Sequence, residues 1–409
     1  MIRSIIYCYQ YGRLLPPIEE THPLQKPIRL GIDASNLRAG GGLTHIGAVL
    51  KHGNPTLFGF EKIIIWGGLK TLSRIETRPW LEKIHVPALD QGLFFRLLWR
   101  TLSLRRELKK TRCNALFAPG GILPGFCRLP AIIMSQNLLP FEKKEYQRAP
   151  LLSFHRLKIF FLRQAQTSGH RRAQGIIFLS QYARDRVLKE IRKKPALLTI
   201  IPHGLEERFF QKPKMARPIT DFTFDHPFKI LYVSTVFYYK HPWNVAQAIA
   251  ELRSKGYPIT GEFIGDGIPG AQARLNRTLN KLDSKNQFLF YRGGLQFEAI
   301  HQAFQSADLF VFASSCETIA STVLEAMASG LPIASSDRGP LPEVLGQAAV
   351  YFDPEKPGQI ATAIEKLMMQ PALRQDLAYK GFEQASSYSW KKCADETFSF
   401  LARVINSTF

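Results

Sequence analysis

The chain has 409 residues, of which 45% are hydrophobic, and this supports two domains of about 150–200 residues rather than a disordered protein. Residues 1–215 carry 36 Lys+Arg and 14 Asp+Glu, while residues 216–409 carry the remaining 18 and 19, so the formal charge of +21 comes wholly from the first half. Five scattered cysteines without a CxxC pair argue against a disulfide framework or zinc site and favour a reducing compartment. No signal peptide or membrane-spanning run is predicted.

The first half contains short apolar segments that alternate with helix-like stretches. Strands are predicted at Ile28–Asp33, Ile63–Trp66, Ala115–Ala118, Ala131–Ser135, Gly175–Leu179 and Leu198–Ile201. Short apolar runs between helices are typical of a parallel sheet that is covered on both faces. The pattern therefore predicts an N-terminal extension over residues 1–27 and an α/β domain over residues 28–215.

The same alternation resumes after a proline-containing linker at residues 208–227. Strands are predicted at Lys229–Val233, Thr260–Ile264, Phe288–Tyr291, Leu309–Ala313 and Pro332–Ser335. Helices are predicted at Val245–Lys255, Leu275–Leu282, Phe297–Ser306, Ile319–Ser329, Pro357–Gln370 and Pro371–Ser387. A second doubly wound domain thus covers residues 216–388, and a C-terminal helix within residues 389–409 is expected to pack back on the first domain. Two such domains leave a cleft at the carboxyl ends of their strands, where open α/β sheets bind ligands.

Two glutamates, Glu317 and Glu325, are separated by seven residues in the small, apolar run CETIASTVLEA. Glu317 falls in a loop after a predicted strand, and Glu325 falls in the helix that follows. A helix start offers free N–H groups and a positive dipole end that suit phosphate, and carboxylates accept hydrogen bonds from sugar hydroxyls. The arrangement suits a sugar nucleotide, although the spacing alone also fits a packed helix with an exposed loop glutamate.

Residues 316–354 resemble the donor-site segment of family 4 glycosyltransferases, which have the GT-B fold. The glutamate pair is followed here by AMASGLP at 326–332 and by GPLPEV at 339–344. Weaker similarities occur in order at GGGL (40–43), SQYA (180–183), IPHG (201–204), Lys240 and IGDG (264–267). The resemblance covers the chain from about residue 28 and implies two facing Rossmann-like doubly wound domains with a cleft between them.

The resemblance implies a role for each matching position. Glu317 and Lys240 are the expected catalytic residues: Glu317 holds donor-sugar hydroxyls, and Lys240 meets the charge that grows on the leaving diphosphate. Glu325 is expected to bind the ribose. Further donor-binding positions are the amides of Ile319, Ala320 and Ser321, the glycines Gly41 and Gly42, and Ser234, Gly265, Gly294 and Leu295, of which the last two border the base.

Three positions depart from the family pattern. Ser234 stands where many members have an arginine six residues before the lysine. Gln136 and Asn137 replace a common His-Asp pair, and Ile319-Ala320 replaces a common Phe-Gly. Gln136, Asn137 and His203 are expected on the acceptor or sugar side, where the amides can donate hydrogen bonds but cannot take a proton. His45 is a second nearby imidazole.

The activity implied is that of a retaining glycosyltransferase. It transfers a sugar from a nucleoside-diphosphate sugar, with UDP or GDP expected, to a saccharide or lipid-linked saccharide in cell-surface polysaccharide or glycolipid synthesis. The family mechanism is front-face substitution without a protein nucleophile, and no metal or cofactor is expected. The alternative is a non-catalytic or altered GT-B protein that binds nucleotide sugars; an epimerase or a phosphorylase fits the 316–354 segment less well.

The basic first half indicates a large anionic partner. Arg96–Arg112 and Lys143–Lys194 mix basic with aromatic and aliphatic residues, as helices on an anionic membrane surface do. The alternative is an ordinary apolar core with solvated charges. No nucleic-acid motif accompanies the charge, so no nucleic-acid partner is expected. The sequence thus predicts a cytoplasmic protein at the inner face of the plasma membrane; it leaves open the sugar, the acceptor, the oligomeric state and the order of residues 1–27.

Overall fold

The structure is a computed structural model that describes residues 9–10, 13–14, 27–38, 40–125, 127–148, 154–191, 197–295 and 299–408. The predicted start of the helix at Phe297 and parts of the basic segment Lys143–Lys194 lie outside these residues. The described chain contains two parallel sheets, each covered by helices. The predicted fold class, two doubly wound α/β domains, is confirmed.

The first sheet has seven parallel strands in the order β5-β4-β3-β6-β7-β8-β9. An antiparallel pair, β1 (Tyr9–Gln10) and β2 (Arg13–Leu14), precedes it. The elements are β3 (Ile28–Asp33), α1 (Gly41–His52), β4 (Phe60–Gly67), α2 (Leu69–Leu72), β5 (Leu81–His85), α3 (Pro87–Asp90), α4 (Leu93–Leu102), α5 (Leu104–Lys110), β6 (Ala115–Ala118), β7 (Ala131–Ser135), α6 (Lys143–Tyr146), α7 (Phe154–Arg172), β8 (Gly175–Phe178), α8 (Gln181–Leu188) and β9 (Leu197–Ile200). The edge strand β5 was not predicted, because only Leu81 of its five residues is buried.

The second sheet has six parallel strands in the order β12-β11-β10-β13-β14-β15. Its elements are β10 (Phe228–Val233), α9 (Pro242–Ser254), β11 (Ile259–Ile264), α10 (Pro269–Leu282), β12 (Leu289–Tyr291), α11 (Ile300–Ser306), β13 (Leu309–Phe312), α12 (Ser321–Ala328), β14 (Ile333–Ser336), α13 (Leu341–Leu345), β15 (Ala349–Phe352), α14 (Pro357–Met369) and α15 (Pro371–Ala385). Helix α12 begins two residues later than predicted because Ala320 has a non-helical backbone, so Glu325 lies about one turn into the helix rather than two.

Both strand orders reverse beside their first strand, and this creates two topological switch points. In the first sheet the reversal lies between β3 and β6, and in the second between β10 and β13. Loops that leave neighbouring strands at such a point diverge and open a crevice. The segments after β3, β10 and β13 contain Gly41, Lys240 and Glu317, so the topology brings the predicted site residues to these crevices.

The two sheets share one apolar core. A single buried cluster includes residues of α1 on the first sheet and of α11, α12 and α13 on the second. Separate clusters cover the outer faces, one beneath α4, α5, α7 and α8 and the other beneath α9, α10 and α14. Burial of this extent is the main stabilising contribution to such a fold.

The last helix, α16 (Trp390–Asn406), lies against α1 of the first sheet. Ser389 caps it by accepting a hydrogen bond from the Lys392 amide at 3.1 Å. Phe398 is buried and contacts the ring of Phe60, with the centroids 5.7 Å apart. A side chain at Gly204 would overlap the backbone of Trp390, so glycine permits the close approach at the start of the helix.

Candidate functional site

The structure brings together the two residues that the resemblance marks as catalytic. Lys240 follows β10 and Glu317 follows β13, the two strands that flank the second switch point. The Lys240 ammonium donates a hydrogen bond to Glu317, and the two side chains are only 12% and 14% exposed. An approaching phosphate would therefore compete with Glu317 for this cation.

The backbone around Lys240 is held in an uncommon conformation. His241 has φ 48° and ψ 38°, a left-handed conformation that few non-glycine residues adopt. Its Nε2 lies 3.0 Å from the Ser315 hydroxyl, and the Tyr232 hydroxyl donates to the Lys240 carbonyl. Backbone strain of this kind persists only where surrounding contacts impose it, and it is concentrated at functional sites.

Two helix starts face each other across the cleft. Helix α1 begins at Gly41 after Gly40, which has φ 74°, and α12 begins at Ser321; neither helix has a side-chain cap. His203 lies between them, since its Nδ1 is 3.0 Å from the Ser321 hydroxyl and a methyl group at Gly41 would lie 3.9 Å from its ring. Two positive helix ends with uncapped amides form a favourable place for a phosphate group.

The glycine start of α1 is also close to the loop after β7. A methyl group at Gly42 would lie 3.1 Å from the Gln136 side-chain oxygen. The Gln136 amide nitrogen donates to the Pro119 carbonyl at 3.3 Å. Asn137 accepts a hydrogen bond from the Leu139 amide at 3.1 Å and so stabilises its own loop. Of this pair, Gln136 is therefore the one that borders the glycine segment.

Glu325 has a carboxyl group without a hydrogen bond to any described residue. The residue is partly exposed, but its carboxyl lies deep enough that burial raises its pKa to about 8. Arg208 nearby opposes the rise in pKa and Glu206 adds to it. The carboxyl group is thus largely protonated at neutral pH and free to pair with hydroxyl groups of a ligand.

Four further residues predicted to bind the donor follow three neighbouring strands. Ser234 follows β10 and is buried. Gly265 follows β11 with φ 137°, and any side chain there would overlap the Ser234 carbonyl, so this position requires glycine. After β12, the Gly294 amide donates to Asp266 at 3.0 Å and Leu295 is 43% exposed.

The two histidines named from the sequence lie next to each other beside the last helix. The rings of His45 and His203 have centroids 4.9 Å apart, and both contact Trp390. Burial lowers the pKa of His203 to about 4; burial and the neighbouring His203 lower that of His45 well below its usual value. Both imidazoles are therefore neutral at physiological pH and supply no positive charge to the cleft.

An ionic network links the two domains, and the sequence analysis did not predict it. The Ser315 hydroxyl donates to the buried Glu145 at 2.6 Å, and Arg148 pairs with Glu145 at 2.6 Å and with Glu355 at 2.8 Å. A hydrogen bond from Arg148 holds the pKa of Glu355 at about 2. The partners are 170 and 207 positions apart, and no local pattern marks them.

Glu343, in the GPLPEV segment, also bridges the two domains. It accepts hydrogen bonds from the Gln181 amide at 2.7 Å and the Tyr182 amide at 2.8 Å, at the start of α8. The Ser180 hydroxyl, just before α8, donates to the Thr318 carbonyl at 2.7 Å. These contacts hold the first domain against the loop that carries Glu317.

A cavity of about 530 Å³ lies at the opposite edge of the second sheet. It is lined by residues at the beginnings of β10 and β13, among them Lys229 and Asp308, and by none of the predicted donor residues. Its buried cation, Arg374, already donates to the carbonyls of Leu367 and Met368. The cavity is therefore separate from the candidate site.

The described residues contain no group of three His, Cys, Asp or Glu side chains that could hold a metal ion. That the site works without a metal or cofactor stays a prediction. Nor does any helix in the described ranges have the length and apolar character needed to cross a bilayer.

Comparison with known proteins supports the predicted enzyme class. Residues 221–384 match the family model described as glycosyl transferases group 1. A sulfoquinovosyl transferase of Arabidopsis thaliana is 31% identical over 134 residues, which cover 32% of this chain and 25% of that protein. The chain covers between 25% and 47% of the length of the first curated relatives that it matches.

Solved structures share the whole architecture. Sucrose-phosphate synthase from Thermosynechococcus elongatus superposes with a TM-score of 0.74 at 17% identity, covering 93% of this chain and all of that one. Anabaena HepE, solved with UDP and glucose, gives 0.67 at 17% identity, covering 91% and 98%. The chain thus has the GT-B fold of these proteins, and the match to the group 1 glycosyltransferase model lies within its second domain.

Proposed function

We propose that this protein is a retaining glycosyltransferase of the family 4 type that transfers a sugar from a nucleoside-diphosphate sugar to an acceptor hydroxyl. The observation that carries the proposal is the geometry of the cleft. Lys240 and Glu317 lie at one switch point, and the uncapped starts of α1 and α12 meet at His203. This set of groups suits a diphosphate with a sugar on one side and a ribose on the other.

The reaction needs no nucleophile from the protein. The bond between the anomeric carbon and the diphosphate breaks, the acceptor oxygen attacks from the same face, and the acceptor proton passes to the departing phosphate. Lys240 leaves its pair with Glu317 and meets the growing negative charge, while Glu317 becomes free to hold donor-sugar hydroxyls. A fixed cation at this place contributes on the order of 10²–10³ in rate.

The donor nucleotide is identified by binding. UDP, GDP and ADP are screened by thermal shift on the wild type and on Glu325→Ala, and diphosphate release is followed with the matching sugar donors. One diphosphate should stabilise the wild type and not the variant, and its donor should release diphosphate. Binding without release would favour the alternative, a non-catalytic nucleotide-sugar-binding protein. If no nucleotide shifts either protein, the donor site is refuted.

We also propose that the protein binds an anionic membrane surface through its first domain. Helix α4 overlaps the basic segment Arg96–Arg112 and α7 lies within Lys143–Lys194, and both cover the same face of the first sheet. Their exposed large apolar residues are Leu93, Phe94, Phe95, Leu97, Leu98, Leu102, Leu157, Phe160 and Phe161. Aromatic and aliphatic side chains beside lysine and arginine favour binding to anionic lipid. We therefore propose a cytoplasmic enzyme that binds the inner face of the plasma membrane and glycosylates a saccharide or lipid-linked acceptor there.

Flotation with anionic vesicles tests this surface. The double variant Phe94→Ser/Phe160→Ser should lose most of the wild-type binding. The control Tyr379→Ser replaces an exposed ring of the second domain and should bind like the wild type. Absence of salt-sensitive binding by the wild type would refute the membrane proposal and leave the donor proposal unaffected.

A further inference from the structure

Helix α4 has an inverted amphipathic pattern. Its exposed residues include six large apolar side chains between 42% and 70% exposed, among them Phe94 and Phe95. Its buried residues are Trp99 and Arg100, and Arg96 is partly buried on the same side. A surface helix normally faces the core with its apolar residues and the solvent with its charges. The arginines of α4 therefore face inward for a reason other than solvation.

The inward arginines have no hydrogen-bond or ion-pair partner among the described residues. Arg100 is only 7% exposed, and its Nη1 is buried with no hydrogen-bond acceptor among the described residues. The same holds for the Nε of Arg96, one turn earlier on the helix. A buried cation without an acceptor is costly, and an anionic ligand would supply the missing acceptor. The described ion pairs include neither residue.

A third arginine, Arg38, lies in the loop between β3 and α1. Arg38 is exposed, lies two residues before Gly40, and together with burial and Arg100 it lowers the pKa of Arg96. A hydrogen bond with His85 lowers the pKa of Asp90, and the nearby Arg38 adds to this lowering. The Asp90 oxygens are however already engaged, one by the Leu69 amide at 2.7 Å and the other by His85 at 2.6 Å. The three positive charges thus have unsatisfied capacity for an anion.

We propose that Arg38, Arg96 and Arg100 form a binding site for a phosphate group on the acceptor side of the cleft. Arginine guanidinium groups bind phosphate through paired hydrogen bonds. The site stands beside the glycine-rich start of α1, and the exposed apolar side of α4 continues from it. It would therefore take an amphiphilic acceptor that carries a phosphate next to an apolar chain. The inference rests on the proposed glycosyltransferase function and specifies its acceptor class.

The phosphate has two sources, the acceptor itself or the headgroup of a neighbouring lipid. Glycerol 1-phosphate serves as the soluble probe, and its affinity is measured by calorimetry in the presence of the stabilising nucleoside diphosphate, which occupies the donor phosphate site. Vesicles of phosphatidylglycerol are the second probe. The variants are Arg96→Gln and Arg100→Met. Arg277→Gln removes the same charge from an exposed position of α10 in the second domain, outside the proposed membrane surface, and is the matched control.

The two site variants should weaken glycerol 1-phosphate binding about tenfold or more, because each removes charge-assisted hydrogen bonds, while Arg277→Gln should leave it unchanged. If vesicle binding falls in the same two variants and not in the control, the lipid headgroup is the source. If vesicle binding is unchanged, the acceptor's own phosphate is the source.

Equal affinity of all four proteins for the probe, or no binding by the wild type, would overturn the inference. Arg96→Gln keeps this test decisive if Arg100→Met does not fold, since Arg96 is only partly buried. The nucleotide thermal shift separates the two hypotheses. A diphosphate that still stabilises all variants leaves the proposed function standing, whereas loss of that shift in the wild type would refute the function itself.

Discussion

Nucleotide binding should depend on pH through one carboxyl group, that of Glu325. Burial raises its pKa from an ordinary 4.5 to about 8. A carboxylate accepts hydrogen bonds from both hydroxyls of a ribose, whereas the protonated acid is a weaker acceptor. Donor binding should therefore favour the ionised form. Below pH 8, where the carboxyl of the free protein is mostly protonated, binding of the donor should release that proton.

The expected magnitude follows from the fraction of ionised carboxyl. With a pKa of about 8, about 1% is ionised at pH 6 and about half at pH 8. If only the ionised form binds the ribose, the donor affinity should rise about 50-fold between these pH values. Glu325→Gln should bind with an affinity close to that of the wild type at pH 6 and show no rise.

Calorimetric titration of a nucleoside-diphosphate sugar is the suitable assay, because its diphosphate has no group that titrates between pH 6 and pH 8. Glu251→Gln, an exposed glutamate of α9 in the same domain, is the control and should keep the pH dependence of the wild type. A flat wild-type profile, or a rise that persists in Glu325→Gln, would refute the role of this carboxyl group.

The raised pKa of Glu325 also predicts that the free energy of unfolding depends on pH. A folded-state pKa raised above the unfolded value gives stability that is present below about pH 4.5 and is lost as the pH rises through about 8. Glu325→Gln should remove this loss, and its free energy of unfolding at pH 8.5 should exceed that of the wild type by a few kcal/mol in urea denaturation. A lower stability of the variant at pH 8.5 would contradict the raised pKa.

Three further substitutions have defined outcomes. Lys240→Met should lower the transfer rate on the order of 10²–10³ while donor affinity falls less, which steady-state kinetics would show; an unchanged rate would contradict its role. Gly265→Ala should lower the unfolding free energy by about 2–4 kcal/mol, since the methyl group overlaps the Ser234 carbonyl and φ is positive; wild-type stability would contradict the strained turn. Phe398→Ala should cost about 3–5 kcal/mol by urea denaturation, whereas Tyr379→Ala, at an exposed ring, should cost little.

Strand positions were predictable because a parallel sheet buries both faces of each strand. Ile28–Asp33, Ala115–Ala118 and Ala131–Ser135 have the predicted bounds, and each is an apolar run flanked by loops. Within the two large sheets, the strands that the sequence missed are β5 and β15, and both lie at sheet edges. β5 (LEKIH) gives no continuous apolar run and resembles a loop, whereas β15 (AVYF) is a short apolar run that the prediction left unassigned.

The positions of Glu317 and Lys240 at one switch point could be foreseen from the order of strands and the resemblance of residues 316–354. Their mutual ion pair could not, since it depends on the spacing of two loops that are 77 positions apart. The sequence likewise could not show that Arg100 faces the interior of the protein. Its helix has a strong apolar period, and the sequence does not tell which side of such a helix meets the protein.

The most direct test of the account is release of diphosphate from the matching nucleoside-diphosphate sugar, followed with a lipid extract as the source of acceptor, by wild type and Lys240→Met in parallel. The account predicts acceptor-dependent release by the wild type that falls on the order of 10²–10³ in the variant. Release at the same rate by both proteins, or none with any donor that binds, would contradict the claim that this cleft transfers a sugar.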